Sequence, residues 1–322
     1  MLRGTVMDMN SYMPVRLVTG KDCVTAGQKE FSKYGDHCLI LTGKKSAKLC
    51  GALDDVTKVL DQQGIKWTLC DIIGQNPKLT DCMKAAETAI ACGAKFVVGI
   101  GGGSPLDAAK CVAVLAANEG MTQEELYAYK WVNQPLPVVA VGTTAGTGSE
   151  VTKVAVITTI EGFKKSVKDD SIYPRASFGD FTYTESLSET FTRSTAVDAM
   201  AHCVESYFCL MANELSQMYA VRGIQLLVKV FRKLLASGFE SVDIQDREIL
   251  YNASIYGGLA INVTGTAMPH AVGYLLTEQH NVPHGVACAV FLPDFYFKSK
   301  ETAPNKPDSI IFLFITFDSK IR

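Results

Sequence analysis

The sequence predicts an α/β N-terminal domain, a Rossmann-like parallel sheet covered by helices, followed by an all-α C-terminal domain. Three observations lead to this. From about residue 15 to 185, short apolar runs alternate with longer amphipathic segments, the pattern of parallel strands joined through helices. From about residue 186 the β signal fades and the period becomes helical. Three consecutive glycines, 101–103, sit directly between a strand-like run and a helix-like one. The expected domains are 1–185, α/β, and 186–322, helical.

Each element has its own reason. "HCLILTG", "KWTLCDII", "KFVVGIGGG" and "LPVVAVGTT" are short, apolar and rich in β-branched residues, so they read as buried strands. "SAKLCGALDDVTKVLDQQG" and "TDCMKAAETAIACG" repeat their apolar positions with helical spacing. "KVAVITTIEGFKKSVKDD" has two β-like stretches around Glu161-Gly162 and reads as a hairpin. "SETFTRSTAVDAMAHCVESYFC", "ELSQMYAVRGIQLLVKVFRKLLASG" and "DREILYNASIYGGLAINVTG" are helical in period. In the tail, Ile310 to Ile315 is continuously apolar, which fits either a buried strand or a sticky exposed segment.

Composition excludes several functions. The 322 residues carry a net charge of −2, which offers no basic face to nucleic acid. The ten cysteines are scattered with no CxxC pair, as expected of reduced thiols in a cytoplasmic protein. The N-terminus lacks the apolar core of a signal peptide, and no apolar run is long enough to span a membrane, so no membrane partner is expected.

The glycine loop, "GIGGGSPLDAAK", is neither GxGxxG nor GxxxxGK[ST]. Ser104 reads as the helix N-cap, Pro105 as its first residue and Asp107 as a capping-box acid. A glycine-lined helix start presents backbone N–H groups to an anion. A second polar turn, "VGTTAGTGSEVT", brings Thr143, Thr144 and Thr147 to the end of another strand, where open α/β sheets bind ligands.

Histidines are few and clustered: three of the five lie in "HAVGYLLTEQHNVPHG", residues 270–285. Asp198 and His202 are one helical turn apart, so they project about 40° apart on one face. His270 and His284 would be about 21 Å apart along one straight helix. The Asn281-Val282-Pro283 break lets the chain turn back at that point. Asp198, His202, His270 and His284 can then form one oxygen-plus-three-nitrogen site suited to Fe²⁺ or Zn²⁺.

In this order, "GGGSPLDAAK", "TTAGTGSEVT", "DAMAH" and "H…VPHG" resemble the iron-containing (group III) alcohol dehydrogenase family, from about residue 13 to about residue 300. The resemblance implies the dehydroquinate synthase-like / iron-containing alcohol dehydrogenase fold, with cofactor and metal between its two domains. Its metal-ligand pattern falls on Asp198, His202, His270 and His284. Its nicotinamide-cofactor pattern falls on Asn76, Gly102, Gly103, Ser104, Thr143, Thr144 and Lys165; Asp107 and Thr147, in the same two loops, join the candidates.

Three departures from the family pattern stand out. Many members carry a further histidine where this chain has Tyr274, which leaves His280, read as a surface histidine, as the nearby imidazole. Gly43 stands where NAD-preferring members place an aspartate; beside Lys44 and Lys45 it favours NADP(H) over NAD(H). The family's helical domain continues beyond "PHG" further than this chain does, so a shortened C-terminus is expected. The expected activity is hydride transfer between a nicotinamide and a small primary alcohol or its aldehyde. The alternatives are a glycerol-dehydrogenase-like polyol oxidoreductase and an inactive binding or oligomerisation subunit. The expected partners are the alcohol or aldehyde and a second copy, in a homo-oligomer, a dimer.

Overall fold

Continuously apolar runs become strands buried on both faces. The computed structural model describes residue 9 and residues 11–302. The strands are β1 (Arg16–Thr19), β2 (His37–Thr42), β3 (Lys66–Cys70), β4 (Phe96–Gly101), β5 (Val138–Gly142), β6 (Val154–Thr158), β7 (Lys164–Lys168) and β8 (Ala176–Gly179). Six of them form a parallel sheet in the order β1-β8-β5-β4-β2-β3. β6 and β7 form the antiparallel hairpin expected around Glu161-Gly162, with Gly162 at φ +93° in its turn.

The chain falls into two units. One comprises residues 13–188; the other runs from Glu189 and takes in the start of the chain, where the Asn262 side-chain amide donates to the Tyr12 carbonyl at 3.4 Å. The first unit carries helices α1 (Cys23–Ala26), α2 (Ser46–Leu49), α3 (Ala52–Gln62), α4 (Leu79–Cys92), α5 (Gly103–Ala117) and α6 (Gln123–Tyr127). The second carries α7 (Glu189–Phe208), α8 (Glu214–Ser237), α9 (Ile244–Thr264), α10 (Met268–His280), α11 (His284–Ala289) and α12 (Leu292–Thr302). Ile310 to Ile315 lies outside the described residues. No helix among those described is long and apolar enough to cross a membrane.

Within the first unit the period-2 alternation of each strand feeds two cores. Leu39, Leu41 and Val97 pack on one face with Ala85, Ala109 and Val112, while Cys38, Ile40, Phe96 and Val98 pack on the other with Val56, Leu60 and Phe178. Three expectations need correction. β3 is an edge strand with Trp67 and Leu69 exposed, not a buried one. The long helical run from Ser46 breaks into α2 and α3 at Gly51, whose φ of +84° no helix interior adopts. β1 and β8 carried no sequence signal: each is four residues, and β8, "ASFG", has small residues where propensity would ask for branched ones.

The start of α5 also differs from the sequence reading. Gly102, not Ser104, holds the N-cap position, no side chain caps the helix, and Pro105 is its third residue. The helix begins early because the loop after β5 lies against it. A Cβ on Gly102 would stand 2.9 Å from Thr144 Cγ2, and one on Gly103 would stand 2.7 Å from Thr147 Cγ2. Asp107 does no capping. Its Oδ1 accepts from Ser149 Oγ at 2.5 Å and its Oδ2 from the Val156 amide at 2.9 Å.

Lys110, fully buried one turn further on, completes this lock. Its Nζ donates to the Ser149 and Val154 carbonyls, both at 2.7 Å, and to Ser149 Oγ at 2.8 Å, with Asp107 Oδ1 3.7 Å away. Burial pulls its pKa down to about 8 against the opposing pull of Asp107 and Glu150. Above pH 8, and below the ordinary lysine value of 10.5, the unfolded chain binds a proton that the folded chain does not. Stability should therefore rise with pH across that window. Lys110→Met should abolish this rise, and it should cost about 3–5 kcal/mol by leaving Asp107 a buried carboxylate without its cation. Urea unfolding from pH 7 to pH 10 measures both effects; a loss under about 1 kcal/mol would show that the loops hold together without the lysine.

Candidate metal and nucleotide sites

α7 is the helix on which the second unit is assembled. Nearly every residue from Ala196 to Phe208 is buried, so its polar side chains must find partners inside the protein. Asp198 and His202 lie one turn apart on it, both close to fully buried. α10 begins at Met268 and ends at His280; Asn281 then takes a left-handed conformation at φ +54°, and α11 starts at His284. The chain turns back where the Asn-Val-Pro sequence predicted.

Glycines set how near these helices come. A Cβ on Gly285 would collide with the Ser194 carbonyl and stand 2.9 Å from Asp198 Cβ, and one on Gly273 would stand 3.1 Å from the Ala287 backbone. α11 therefore lies directly on both α7 and α10. The result is a single cluster around Asp198 Oδ1, which lies 3.5 Å from His270 Nε2, 3.8 Å from His284 Nε2 and 4.0 Å from His202 Nε2. The His202 and His270 rings stack at 4.6 Å. All four residues expected as ligands are thus brought together.

The electrostatics of the cluster are those of a cation trap. Burial disfavours charge on Asp198, but His202, His284 and His270 outweigh it and hold the carboxyl well below its usual range. Burial likewise pushes the His270 pKa down, but Asp198, Cys288 and Glu205 together raise it well above that of an ordinary imidazole. Asp198 Oδ1 and His270 Nε2 are both buried without a hydrogen-bond partner. Two such atoms facing each other suit a shared divalent ion, and one carboxylate with imidazole donors is an appropriate ligand set for it.

Sequence reasoning missed Glu205. This fully buried carboxylate on α7 accepts from His270 Nδ1 at 2.6 Å and from the Ala267 amide at 2.5 Å. It fixes His270 in the tautomer that leaves Nε2 free to ligate, the usual partnership of a carboxylate with a metal-binding histidine. The signal was present, since Glu205 stands seven residues after Asp198, two turns along the same face. Tyr274 stacks on His284 at 5.5 Å. His280 is exposed at the end of α10.

In the first unit, Gly102, Gly103 and Ser104 form the uncapped start of α5, and the amide of Thr143 donates to the Gly101 carbonyl at 2.9 Å. With Thr144 and Thr147 against the glycines, these residues form one partly open polar surface at the ends of β4 and β5. Asn76 is exposed at φ +52° and its carbonyl accepts from Thr158 Oγ1 at 3.3 Å. Gly43 follows β2 and precedes exposed Lys44 and Lys45. Lys165 is not held at the glycine loop; its Nζ lies 4.5 Å from the centre of the Tyr127 ring, and the neighbouring Lys164 is the lysine of this hairpin whose charge bears on Asp107.

Known proteins resemble this chain across both units. The profile of the iron-containing alcohol dehydrogenases matches residues 14–181, and that of the family's C-terminal domain matches residues 192–319. The long-chain primary alcohol dehydrogenase of Thermoanaerobacter ethanolicus is 33% identical over 261 residues, 80% of this chain and 65% of its own length. The chain thus spans a little under two thirds of that relative. The crystal structure of an iron-containing alcohol dehydrogenase from Thermotoga maritima superposes with a TM-score of 0.89 at 36% identity, covering 95% of this chain and 83% of that one. Sulfoacetaldehyde reductase from Bifidobacterium kashiwanohense, solved with NAD⁺, superposes with a TM-score of 0.80 at 28% identity, covering 90% of this chain and 76% of that one. Both units match the profiles of one family, and the chain belongs to the iron-containing alcohol dehydrogenases.

Proposed function

We propose that the chain is a metal- and nicotinamide-dependent alcohol dehydrogenase or aldehyde reductase acting on small primary alcohols and their aldehydes. The observation that carries this reading is the pair of buried atoms without a hydrogen-bond partner, Asp198 Oδ1 and His270 Nε2, with His284 and His202 beside them. When bound there, Fe²⁺ or Zn²⁺ supplies Lewis-acid polarisation of the substrate oxygen. Asp198, His202, His270 and His284 would hold the ion, and Glu205 holds His270 in the ligating tautomer. Gly102, Gly103 and Ser104 offer backbone N–H groups to the cofactor's phosphates, and Thr143, Thr144 and Thr147 line the same surface. Asp107 and Lys110 keep that surface in shape. None of the ten cysteines is in a disulfide, which supports a reducing, cytoplasmic setting.

Metal analysis together with NADPH and NADH oxidation against a panel of short-chain aldehydes tests the whole reading; stoichiometric metal with no turnover on any aldehyde would overturn it. Asp198→Ala and His270→Ala should each lose bound metal and turnover and keep nicotinamide affinity, because the two ligand sets belong to different units. His280→Ala should keep its metal. Unchanged metal content in the first two variants would dismiss the site.

Glu205→Leu should weaken metal binding by about 10–100-fold without removing a ligand, since His270 is then free to rotate or change tautomer. Competition with a chelator measures this. Equal affinity in parent and variant would show that the packing of α10 alone orients His270.

The adenosine end should prefer NADPH, because Gly43 offers no carboxylate to repel a 2′-phosphate beside Lys44 and Lys45. Gly43→Asp places a negative charge there; its Cβ would stand 3.1 Å from the Ile73 carbonyl, a contact met by a shift of a few tenths of an ångström. NADPH binding should weaken by about 1–3 kcal/mol, with NADH much less affected. Equal affinities in the parent chain and no differential effect by fluorescence titration would refute the assignment.

A further inference from the structure

We infer that Cys288 is a direct thiolate ligand of the same ion, making this a carboxylate-imidazole-thiolate site. The inference rests on the metal site proposed above and concerns a residue outside the expected ligand pattern. Cys288 follows His284 by one helical turn on α11, so both side chains leave the same face. Its Sγ lies 3.7 Å from His284 Nδ1 and 3.9 Å from Nε2, and the residue is fully buried.

The spacing of donor atoms carries the argument. One atom each from Asp198, His270, His284 and Cys288 lie within 4.8 Å of one another, and among the described residues this is the one such group of His, Cys, Asp and Glu. Donors bound to a common ion at 2.0–2.3 Å stand about 3.3–3.8 Å apart at tetrahedral angles. Asp198 with His270, at 3.5 Å, and Asp198 with His284, at 3.8 Å, already satisfy this. Bringing the sulfur in requires a contraction of about one ångström, within the reach of side-chain rotation. An independent observation marks the same spot: Asp198 Oδ1 and His270 Nε2, on side chains more than nine-tenths buried, have no hydrogen-bond partner.

The chemistry follows from the sulfur. As the Sγ–metal bond forms, the Sγ–H bond breaks and the proton leaves to the buffer, so no oxidant or reductant takes part. Two anionic donors, Asp198 and Cys288, then balance the 2+ charge, where the carboxylate alone leaves one positive charge. A soft thiolate shifts the preference of the site toward Zn²⁺ or Co²⁺ and away from harder ions. His202, 4.0 Å from Asp198 Oδ1 and stacked on His270, supplies a fifth donor.

Cobalt loading of the full chain tests this. Co²⁺ bound to the parent should show a near-ultraviolet sulfur-to-cobalt charge-transfer band beside its visible ligand-field bands. Cys288→Ser should keep the visible bands, lose the near-ultraviolet one and bind zinc at least about 10-fold more weakly. Cobalt bound without that band overturns the thiolate and leaves the proposed metal site standing, as does a band that survives in Cys288→Ser. A parent chain that binds neither cobalt nor zinc overturns both. Should the variant fail to fold, X-ray absorption on the zinc-loaded parent decides: a sulfur neighbour at about 2.3 Å supports the ligand, and a shell of nitrogen and oxygen alone refutes it.

Discussion

A carboxylate buried in the middle of a helix is the constraint around which the second unit is organised. Asp198 is 3% exposed. Its neighbours on α7 are apolar, so its charge must be balanced by groups from other segments. Three imidazoles do this, and two of them arrive on separate helices, α10 and α11. Those helices can approach only because Gly285 and Gly273 carry no side chain where the backbones meet. The close packing of α11 on α7 and the position of His284 are therefore one fact seen at two scales.

The first unit meets a comparable problem with different parts. There the pair is the buried Lys110 with the partly buried Asp107, and what they stabilise is a loop conformation. Lys110 gathers two carbonyls and two hydroxyls from the segment after β5, while Asp107 accepts from Ser149 and Val156. Both oxygens of Asp107 are thereby committed to the protein. Its role is structural: it ties Ser149 and β6 to α5, beside the glycines on which Thr144 and Thr147 lie, and the uncapped start of α5 is bordered by hydroxyls rather than closed by a side-chain cap.

How much of this was legible in the sequence depends on the range of the interaction. Strands with branched apolar runs, the hairpin at Gly162, the turn at Asn281 and the Asp198-His202 pair follow from local rules, and the structure has them. β1 and β8 were invisible because four residues of ordinary composition become strands only when neighbours pair with them. The helix start was misread at Ser104 because the deciding contact, Gly103 with Thr147, joins positions far apart in sequence. Glu205 and Cys288 fell between these cases. Each stands at helical spacing from an expected ligand, at Asp198 plus seven and His284 plus four, but a periodic carboxylate or a buried thiol gains meaning only once the start of α10 is seen to lie beside it.

The protonation of His270 answers to its own helix and to carboxylates on α7. His270 is the third residue of α10, near a helix start, where the backbone's partial positive charge disfavours a charged imidazole. Against this, Asp198 and Glu205 draw positive charge toward His270. A proton and a divalent ion both answer that demand, and they exclude each other at Nε2. With Glu205 accepting from Nδ1, an ion held there would have only to displace a proton from Nε2, and the imidazole would then be the neutral ligand that the helix start favours. Binding of an ion there would thus be coupled to loss of the proton, and the carboxylates that make His270 basic would also make it a strong ligand.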